Sequence, residues 1–323
     1  MRRFWSFFAV CLIVYLTSAC TPTIYPMGPV IQEPTLTDAA FVMADGATLP
    51  LKKWPSKGLP KAIIIALHGF NDYSNAYAEP AKVWSEKGIE TYSYDQRGFG
   101  AAPDRGGWAG GDTMVADAIA VSRLLKSKYP HIPLVMVGES MGGAVVLRAM
   151  QEDGLMADRV VLSAPAVWGR QLMPWYQRWP LWLAAHTIPT VELRPRLKIH
   201  PSDNIAMLRA LGRDPLIIKA TRIETAWGLT NLMDAAYDVV PDIKSDSLIM
   251  YGKKEDLIPE NAWNGLISRL PDGEPKFWRL ALYDNGYHML MRDLQADVVL
   301  DDIASYVLDK DARFPSGLEI LED

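Results

Sequence analysis

The sequence predicts an α/β fold with a mostly parallel central sheet, helices on both faces of the sheet and a helical cap inserted between two strands. Continuous apolar runs rich in β-branched residues, such as KAIIIAL at 61–67, are typical of strands buried on both faces. These runs alternate with stretches of helical character, which is the pattern of βαβ units. The alternation stops after Pro165 and resumes after residue 240, which indicates an insertion.

The first half of the chain contains regularly alternating elements. Two short apolar runs flank Asp45-Gly46, a turn signal, and predict a hairpin at the edge of the sheet. Gly88 ends one predicted helix and Pro130 ends another. The elements predicted after the hairpin are a strand at 61–67, a helix at 77–87, a strand at 89–95, a helix at 112–129, a strand at 133–139, a helix at 140–150 and a strand at 159–165.

Residues 166–240 are rich in Trp, Pro, Leu and Arg and show no clear strand pattern, so we predict a helical cap. An insertion between strands can lie at the end of the sheet where open α/β folds bind their ligands. We expect the core to comprise residues 37–165 and 241–312, followed by a tail at 313–323. Its second part is predicted to contain a strand at 245–252, a helix at 261–268, a strand at 276–282 and a helix at 297–308.

The charge balance excludes one class of partner. The net charge is −5 and the pI is about 5.6. A nucleic-acid-binding protein carries a basic patch or an excess of positive charge. We therefore expect no nucleic-acid partner.

Residues 1–19 resemble the signal peptide of a bacterial lipoprotein. A short basic start precedes an apolar run at 4–16 that is too short for a comfortable membrane span. The run ends in LTSAC, which resembles a lipobox and implies that Cys20 is the lipidated first residue of the mature protein. An ordinary secretory signal cut after Ala19 is the alternative. We expect a lipoprotein held at the membrane by its lipidated N-terminus and facing the periplasm or the cell exterior.

Residues 20–36 are predicted to tether this anchor to the domain. Four Pro and one Gly at 21–34 favour an extended segment. The two cysteines of the chain are Cys11, in the segment to be removed, and Cys20. The mature domain would therefore form no internal disulfide.

The stretch VMVGESMGGAVVLRAM at 135–150 places a Gly-x-Ser-x-Gly sequence between a predicted strand and a predicted helix. This is the nucleophile-elbow pattern. Gly138 and Gly142 leave room for a tight turn, and the helix N-terminus beneath the Ser140 hydroxyl favours negative charge. We predict that Ser140 is a catalytic nucleophile. A strand that meets a helix through small residues is the structural alternative.

A serine nucleophile needs a base, and in folds with this elbow an acid and then a histidine follow the serine along the chain. His288 lies between a late strand and the last helix, in YDNGYHMLMRD. The acid should follow the strand at 245–252, where Glu255 and Asp256 are adjacent. Neighbouring loop residues cannot both face one imidazole, so one of these two carboxylates is the third member. The residues alone leave that choice open.

Four segments together resemble the monoglyceride lipase and lysophospholipase group of α/β-hydrolases, which is often placed with the serine aminopeptidase-like family. The segments are LHGFNDYS at 67–74, YDQRGFG at 94–100, GESMGG at 138–143 and GYHMLMRD at 286–293. The resemblance covers nearly all of the mature domain and implies an α/β-hydrolase fold. When the group's Gly-x-x-Asp acid segment is aligned with Gly252 without a gap, Glu255 takes the position of the catalytic acid. Asp256 fits only if the loop carries one extra residue.

The resemblance implies a serine hydrolase that cleaves carboxylic esters through an acyl-enzyme and needs no metal or organic cofactor. The backbone amides of Phe70, after His68-Gly69, and of Met141, after the nucleophile, would form the oxyanion hole. A Trp-rich cap and a membrane anchor favour a lipid-like substrate, a lysophospholipid or a monoacylglycerol. One alternative is a peptidase or a C–C hydrolase with the same triad. Another is a catalytically inactive protein of this fold that binds a lipid or a partner protein.

Overall fold

The computed structural model describes residues 21–194, 199–273 and 275–320 of the 323-residue chain. The predicted signal peptide and Cys20 lie outside the described residues. Within those residues, no helix is both long enough and apolar enough to cross a membrane.

The described residues form twelve strands, ten of which make up one large, mostly parallel sheet. They are β1 Thr35–Leu36, β2 Ala40–Val42, β3 Thr48–Trp54, β4 Ala62–Leu67, β5 Ile89–Tyr94, β6 Leu134–Glu139, β7 Arg159–Ser163, β8 Glu192–Leu193, β9 Thr221–Arg222, β10 Ser247–Gly252, β11 Trp278–Tyr283 and β12 Glu319–Ile320. Ten of them lie in the order β1-β2-β3-β5-β4-β6-β7-β10-β11-β12. The strands from β5 through β11 in this order are parallel, and antiparallel strands flank them on both sides. The predicted sheet is therefore confirmed.

Helices connect the parallel strands and form the cap. They are α1 Ala78–Glu86, α2 Gly111–Lys128, α3 Met141–Ala149, α4 Trp175–Thr187, α5 Ile205–Arg213, α6 Ile223–Asp238, α7 Glu260–Ile267 and α8 Ala296–Leu308. Each predicted core helix is present, with ends that differ from the prediction by at most one residue.

The apolar core has two halves, one on each face of the sheet. Strand β4 contributes to both because its side chains alternate: Ile63 and Ile65 pack into one half, and Ile64 packs into the other. All three are completely buried. Full burial of such a side chain contributes about 1.5–3 kcal/mol. The β-branched run therefore reflects a strand with no solvent-facing side.

The cap lies between β7 and β10 and contains α4, α5 and α6. Helix α6 joins it to the core because it packs against both α3 and α4. The cap also contains a small antiparallel sheet in which β8 pairs with β9. The sequence analysis does not predict this sheet, because a two-residue strand is too short to show a periodic pattern.

The ends of the described chain differ from the predicted tether and tail. Strand β1 belongs to the predicted tether at 20–36, and it pairs with β2 at the edge of the sheet, next to the predicted hairpin β2–β3. In the same segment, the amide of Thr23 donates a hydrogen bond to Glu224 of α6 at 3.1 Å. In the predicted tail at 313–323, β12 pairs with β11. Extended segments have backbone groups that need partners, and the domain supplies them. The described parts of both segments are therefore attached to the folded domain.

Candidate active site

Ser140 lies at the turn between β6 and α3 with strained backbone angles, φ 53° and ψ −115°. A residue with a side chain seldom adopts a positive φ, and such strain persists where the surrounding structure imposes it. Close packing imposes it here. A Cβ atom on Gly138 would lie 2.5 Å from the carbonyl oxygen of Gly142, and a Cβ atom on Gly142 would overlap the carbonyl oxygen of Leu67. The turn therefore has the tight geometry that the sequence pattern predicts.

His288 lies on the loop after β11, and its Nδ1 is 2.6 Å from Oε2 of Glu255. The other carboxylate oxygen of Glu255 accepts hydrogen bonds from the amides of Leu257 and Ile258, at 2.7 and 2.9 Å. The side chains of His288 and Glu255 are both buried. Because Nδ1 faces the acid, Nε2 is the ring nitrogen left to act on another group.

Asp256, the alternative acid, has a different set of partners. One of its oxygens accepts a hydrogen bond from the amide of His200 at 2.9 Å. Its side chain is 39% exposed, whereas that of Glu255 is fully buried. Of the two adjacent carboxylates, the structure brings Glu255 to the imidazole and leaves Asp256 near the surface.

Opposing effects set the pKa of His288. Burial lowers this pKa, because a charged imidazole loses its hydration. The negative charge of Glu255 and the hydrogen bond to it raise the pKa, and Glu139 adds to this effect. The net result is a pKa above the usual value of 6.5. The environment thus strengthens the imidazole as a base.

Ser140 and His288 line one cavity of about 500 Å³ between the core and the cap. A cavity of this volume accommodates a small-molecule ligand. Most of its other walls are apolar, and the larger apolar side chains are Phe70, Trp168, Met173, Leu181, Leu229, Met233, Leu257, Ile258 and Met289.

The peptide between Gly69 and Phe70 lies at this cavity and has a fixed orientation. The carbonyl oxygen of Gly69 is 2.8 Å from Nδ1 of His68 and accepts a hydrogen bond from the amide of Asp72 at 3.2 Å. Nε2 of His68 accepts a hydrogen bond from the amide of Gln96, which places the ring proton on Nδ1. Burial lowers the pKa of His68, so the ring stays neutral. Because the N–H and C=O of a trans peptide point in opposite directions, the Phe70 N–H is held facing away from the His68 ring.

The second predicted oxyanion donor, the amide of Met141, begins helix α3. The first amides of a helix have no partner within the helix and attract negative charge. The loop that carries Phe70 comes close to this point, because a Cβ atom on Gly69 would lie 3.4 Å from the Cβ of Ser140. The structure therefore places the loop of Phe70 and the first residue of α3 next to Ser140.

Arg292 links three segments of the site through buried ion pairs that the sequence analysis does not identify. Its guanidinium contacts Asp72 at 2.8 Å and Glu139 at 2.6 Å, and all three side chains are buried. Asp72 follows β4, Glu139 precedes Ser140, and Arg292 follows the loop of His288. Burial lowers the pKa of Arg292, but the two carboxylates outweigh it and raise the pKa above its usual value. The pairs therefore keep their charges inside the protein.

Comparison with known proteins gives the family context of this geometry. The model of the family described as "Serine aminopeptidase, S33" matches residues 58–295. Human monoglyceride lipase is 26% identical over 264 residues, which cover 79% of this chain and 84% of that protein. The monoacylglycerol lipase of Mycolicibacterium smegmatis is 22% identical over 286 residues, which cover 85% of this chain and 98% of that protein.

Two solved structures extend the comparison to three dimensions. The monoacylglycerol lipase of Paleococcus ferrophilus has a TM-score of 0.65 at 20% identity and covers 80% of this chain and 98% of its own. A soluble variant of monoglyceride lipase from Saccharomyces cerevisiae, in complex with a substrate analog, has a TM-score of 0.68 at 20% identity. It covers 90% of this chain and 98% of its own. These likenesses confirm the predicted α/β-hydrolase fold.

Proposed function

The chain belongs to the family described as serine aminopeptidase, S33, and from this premise we propose that Ser140, His288 and Glu255 act as a catalytic triad that hydrolyses carboxylic esters of lipid-like substrates. One observation carries the proposal: a strained serine and a buried histidine, whose Nδ1 lies 2.6 Å from a buried carboxylate, line a single cavity. A serine, a base and an acid that orients the base are the parts that acyl transfer requires.

In the first half of the proposed reaction, Oγ of Ser140 attacks the carbonyl carbon of the ester, and Nε2 of His288 accepts the hydroxyl proton. Glu255 holds Nδ1–H and stabilises the imidazolium. The amides of Phe70 and Met141 stabilise the oxyanion, and each such donor lowers the barrier by roughly 2.7–4 kcal/mol. The bond to the alcohol oxygen then breaks, and His288 donates its proton to that oxygen.

In the second half, a water molecule attacks the acyl-enzyme while His288 accepts one of its protons. The bond between the acyl carbon and Oγ of Ser140 breaks, and the proton returns to the serine. The products are a carboxylic acid and the regenerated hydroxyl. Both tetrahedral intermediates place their negative charge at the same two amides.

We further propose that the substrate is a monoacyl lipid, a monoacylglycerol or a lysophospholipid. The apolar walls of the cavity support this, because each buried methylene group of an acyl chain contributes about 0.8 kcal/mol. Helix α4 of the cap, which lines the cavity through Leu181, also carries Trp175, Trp179 and Leu183, and these three side chains are more than half exposed. Aromatic and aliphatic side chains of this kind suit contact with a lipid aggregate. The relatives named monoglyceride lipase and monoacylglycerol lipase support the same substrate class.

Cleavage of an N-terminal residue, the activity in the family description, is less well supported. A peptidase of that kind needs a carboxylate to bind the free amine of its substrate. Among the described residues that line the cavity, the carboxylates are Asp72 and Glu139, and both pair with Arg292. This arrangement favours an ester over a peptide with a free amine.

We also propose that Cys20 carries a lipid that anchors the protein to a membrane, facing the periplasm or the cell exterior. The basic start, the apolar run and the LTSAC sequence support this. In cells fed radioactive palmitate, the wild type should incorporate label and sediment with membranes. The Cys20→Ala variant should do neither, and Cys11→Ala serves as the control that retains both. Equal labelling of Cys20→Ala and the wild type would contradict the anchor.

The activity is tested with a panel of purified substrates. It comprises monoacylglycerols, lysophosphatidylcholine, p-nitrophenyl esters of increasing chain length and amino-acid anilides. We expect hydrolysis of the monoacyl lipids and esters, its loss in Ser140→Ala, and its retention in Ser305→Ala on the surface of α8. Cleavage of the anilides alone would favour the peptidase, and no cleavage by the folded wild type would favour the inactive binding protein.

A further inference from the structure

The cap is hydrogen-bonded to the loop that carries the Phe70 amide, through the residue that follows it. The amide of Ile218 donates to the carbonyl oxygen of Asn71 at 3.0 Å. In the other direction, Nδ2 of Asn71 donates to Oγ1 of Thr221 at 2.8 Å. Both the backbone and the side chain of Asn71 are therefore attached to the cap.

A third hydrogen bond lies two residues further along the same loop. The hydroxyl of Tyr73 donates to Oδ2 of Asp214 in the cap at 2.7 Å. Between these attachments, Asp72 pairs instead with the buried Arg292 of the core. Alternate residues of the loop are thus held by the cap and by the core.

Asn71 also has a left-handed backbone, with φ 65°. This conformation is uncommon for a residue with a side chain, although Asn tolerates it better than most residues. It persists where neighbouring contacts impose it. His68 and Asp72 hold the Phe70 peptide at its Gly69 end, and the bonds from Ile218 and to Thr221 hold the residue on its other side. If those cap bonds were lost, we expect the backbone of Asn71 to relax and to shift the Phe70 amide.

We propose that these three hydrogen bonds form a latch through which the cap holds the Phe70 amide in place, so that Asn71 and Tyr73 are positioning residues for ester hydrolysis. The latch rests on the proposed function, because the Phe70 amide matters only if Ser140 is acylated. Its physical basis is that an oxyanion donor contributes fully only at the right distance from the developing charge.

The latch couples substrate binding to catalysis. Leu181, Leu229 and Met233 of the cap line the cavity beside Phe70 and Asn71. An acyl chain that fills this space orders the same cap that holds the loop. Longer acyl chains should therefore raise kcat as well as lower KM, because they improve the oxyanion hole in addition to adding buried surface.

The decisive variants remove hydrogen bonds of the latch at residues that do not contact the reacting atoms. Tyr73→Phe removes the bond to Asp214, and Thr221→Val removes the bond to Asn71. The matched control is Thr225→Val, which removes a hydrogen bond of 2.8 Å from the cap to the carbonyl oxygen of Gly106, away from the loop. The measurements are kcat and KM for p-nitrophenyl butyrate and decanoate, with thermal melting to confirm folding.

We expect the double variant Tyr73→Phe/Thr221→Val to lose about tenfold in kcat on butyrate with KM unchanged. This loss is smaller than the roughly 10²–10³-fold effect of removing an oxyanion donor, because the Phe70 amide is displaced and not removed. The rise of kcat from butyrate to decanoate should disappear, while Thr225→Val keeps both kcat and the rise. If the double variant does not fold, Thr221→Val alone should show the same direction at a smaller size. Wild-type kcat in the latch variants, or an equal loss in Thr225→Val, overturns the latch. A wild type that a fluorophosphonate does not label overturns the proposed function instead, and the latch with it.

Discussion

Helix α3, which follows Ser140, and helix α4 of the cap are both rich in apolar residues, but they place these residues in opposite environments. Every residue of α3 except Arg148 is buried. Of the thirteen residues of α4, all of them described, only Ala185 is buried. Its Trp175, Trp179 and Trp182 are 67, 62 and 45% exposed.

The buried α3 and the exposed α4 suit different tasks, the support of Ser140 and contact with other molecules. Burial on every side holds the α3 turn rigidly, and a strained nucleophile needs this support. The exposed face of α4 adds little to packing within the chain, and large exposed apolar surfaces mark sites of interaction. In the proposed reaction, the rigid core therefore holds Ser140, and the cap contacts the lipid substrate in addition to holding the Phe70 loop.

The largest expected effect concerns the acid in the core. Glu255→Gln keeps the shape of the side chain but removes the charge that supports His288, and it should lower kcat roughly 10⁴-fold, as the loss of a triad carboxylate does elsewhere. Asp256→Asn, the matched neighbour, should keep wild-type kcat because Asp256 does not contact the imidazole. Steady-state kinetics on one ester checks both. The reverse ranking would show that Asp256 is the acid.

The next effect concerns stability of the core. Arg292→Met leaves Asp72 and Glu139 buried without a counter-charge, and breaking such a pair costs about 3–5 kcal/mol. The control is Lys253→Met, which breaks an exposed pair with Asp284 that contributes about 0–1 kcal/mol. Urea unfolding measures the free energy of unfolding of each variant. Equal losses in the two variants would contradict the difference between buried and exposed pairs.

The third effect is the pH dependence of the core. Catalysis needs neutral His288, so kcat/KM should fall as the pH drops through a pKa that lies above 6.5. Stability should follow the opposite trend. A raised pKa favours the protonated folded state, and this contribution is complete below the unfolded pKa of about 6.5 and is lost as the pH rises through the folded value. A pH–rate profile with its acid limb centred below 6.5 would contradict the influence of Glu255.

The smallest expected change in stability comes from the cap. Replacing Trp175 and Trp179 with Ser should alter the free energy of unfolding by no more than about 0.5 kcal/mol per site, because both side chains are largely exposed. Replacing the fully buried Trp84 with Ala should cost about 3–5 kcal/mol. The cap variant should also lose activity on monoacylglycerol vesicles while it keeps activity on a soluble short ester. An equal loss on both substrates would contradict a role of α4 in access to lipid.

The core could be predicted from sequence because its signals are local. The run at β4 is apolar because both of its sides are buried, and the elbow around Ser140 is visible as glycines at fixed spacing. Each of these signals is contained within a few consecutive residues. The choice between Glu255 and Asp256 could not be made from the residues alone, because it depends on how one loop meets another.

The remaining features depend on contacts between distant parts of the chain. Arg292 pairs with Asp72 and Glu139 across 220 and 153 residues, and no local pattern indicates that these charges are buried. The bond from Asn71 to Thr221 likewise spans 150 residues. In the cap, apolar composition predicts helices but does not tell a buried tryptophan from an exposed one.

The most direct measurement is the location of the adduct after reaction with a fluorophosphonate. The intact wild-type protein is labelled, digested and analysed by mass spectrometry, beside Ser140→Ala. The account predicts one adduct, on the peptide that contains Ser140, and none on the variant. A wild type that stays unlabelled, or an adduct on any other residue, would contradict the claim that Ser140 is the nucleophile of this protein.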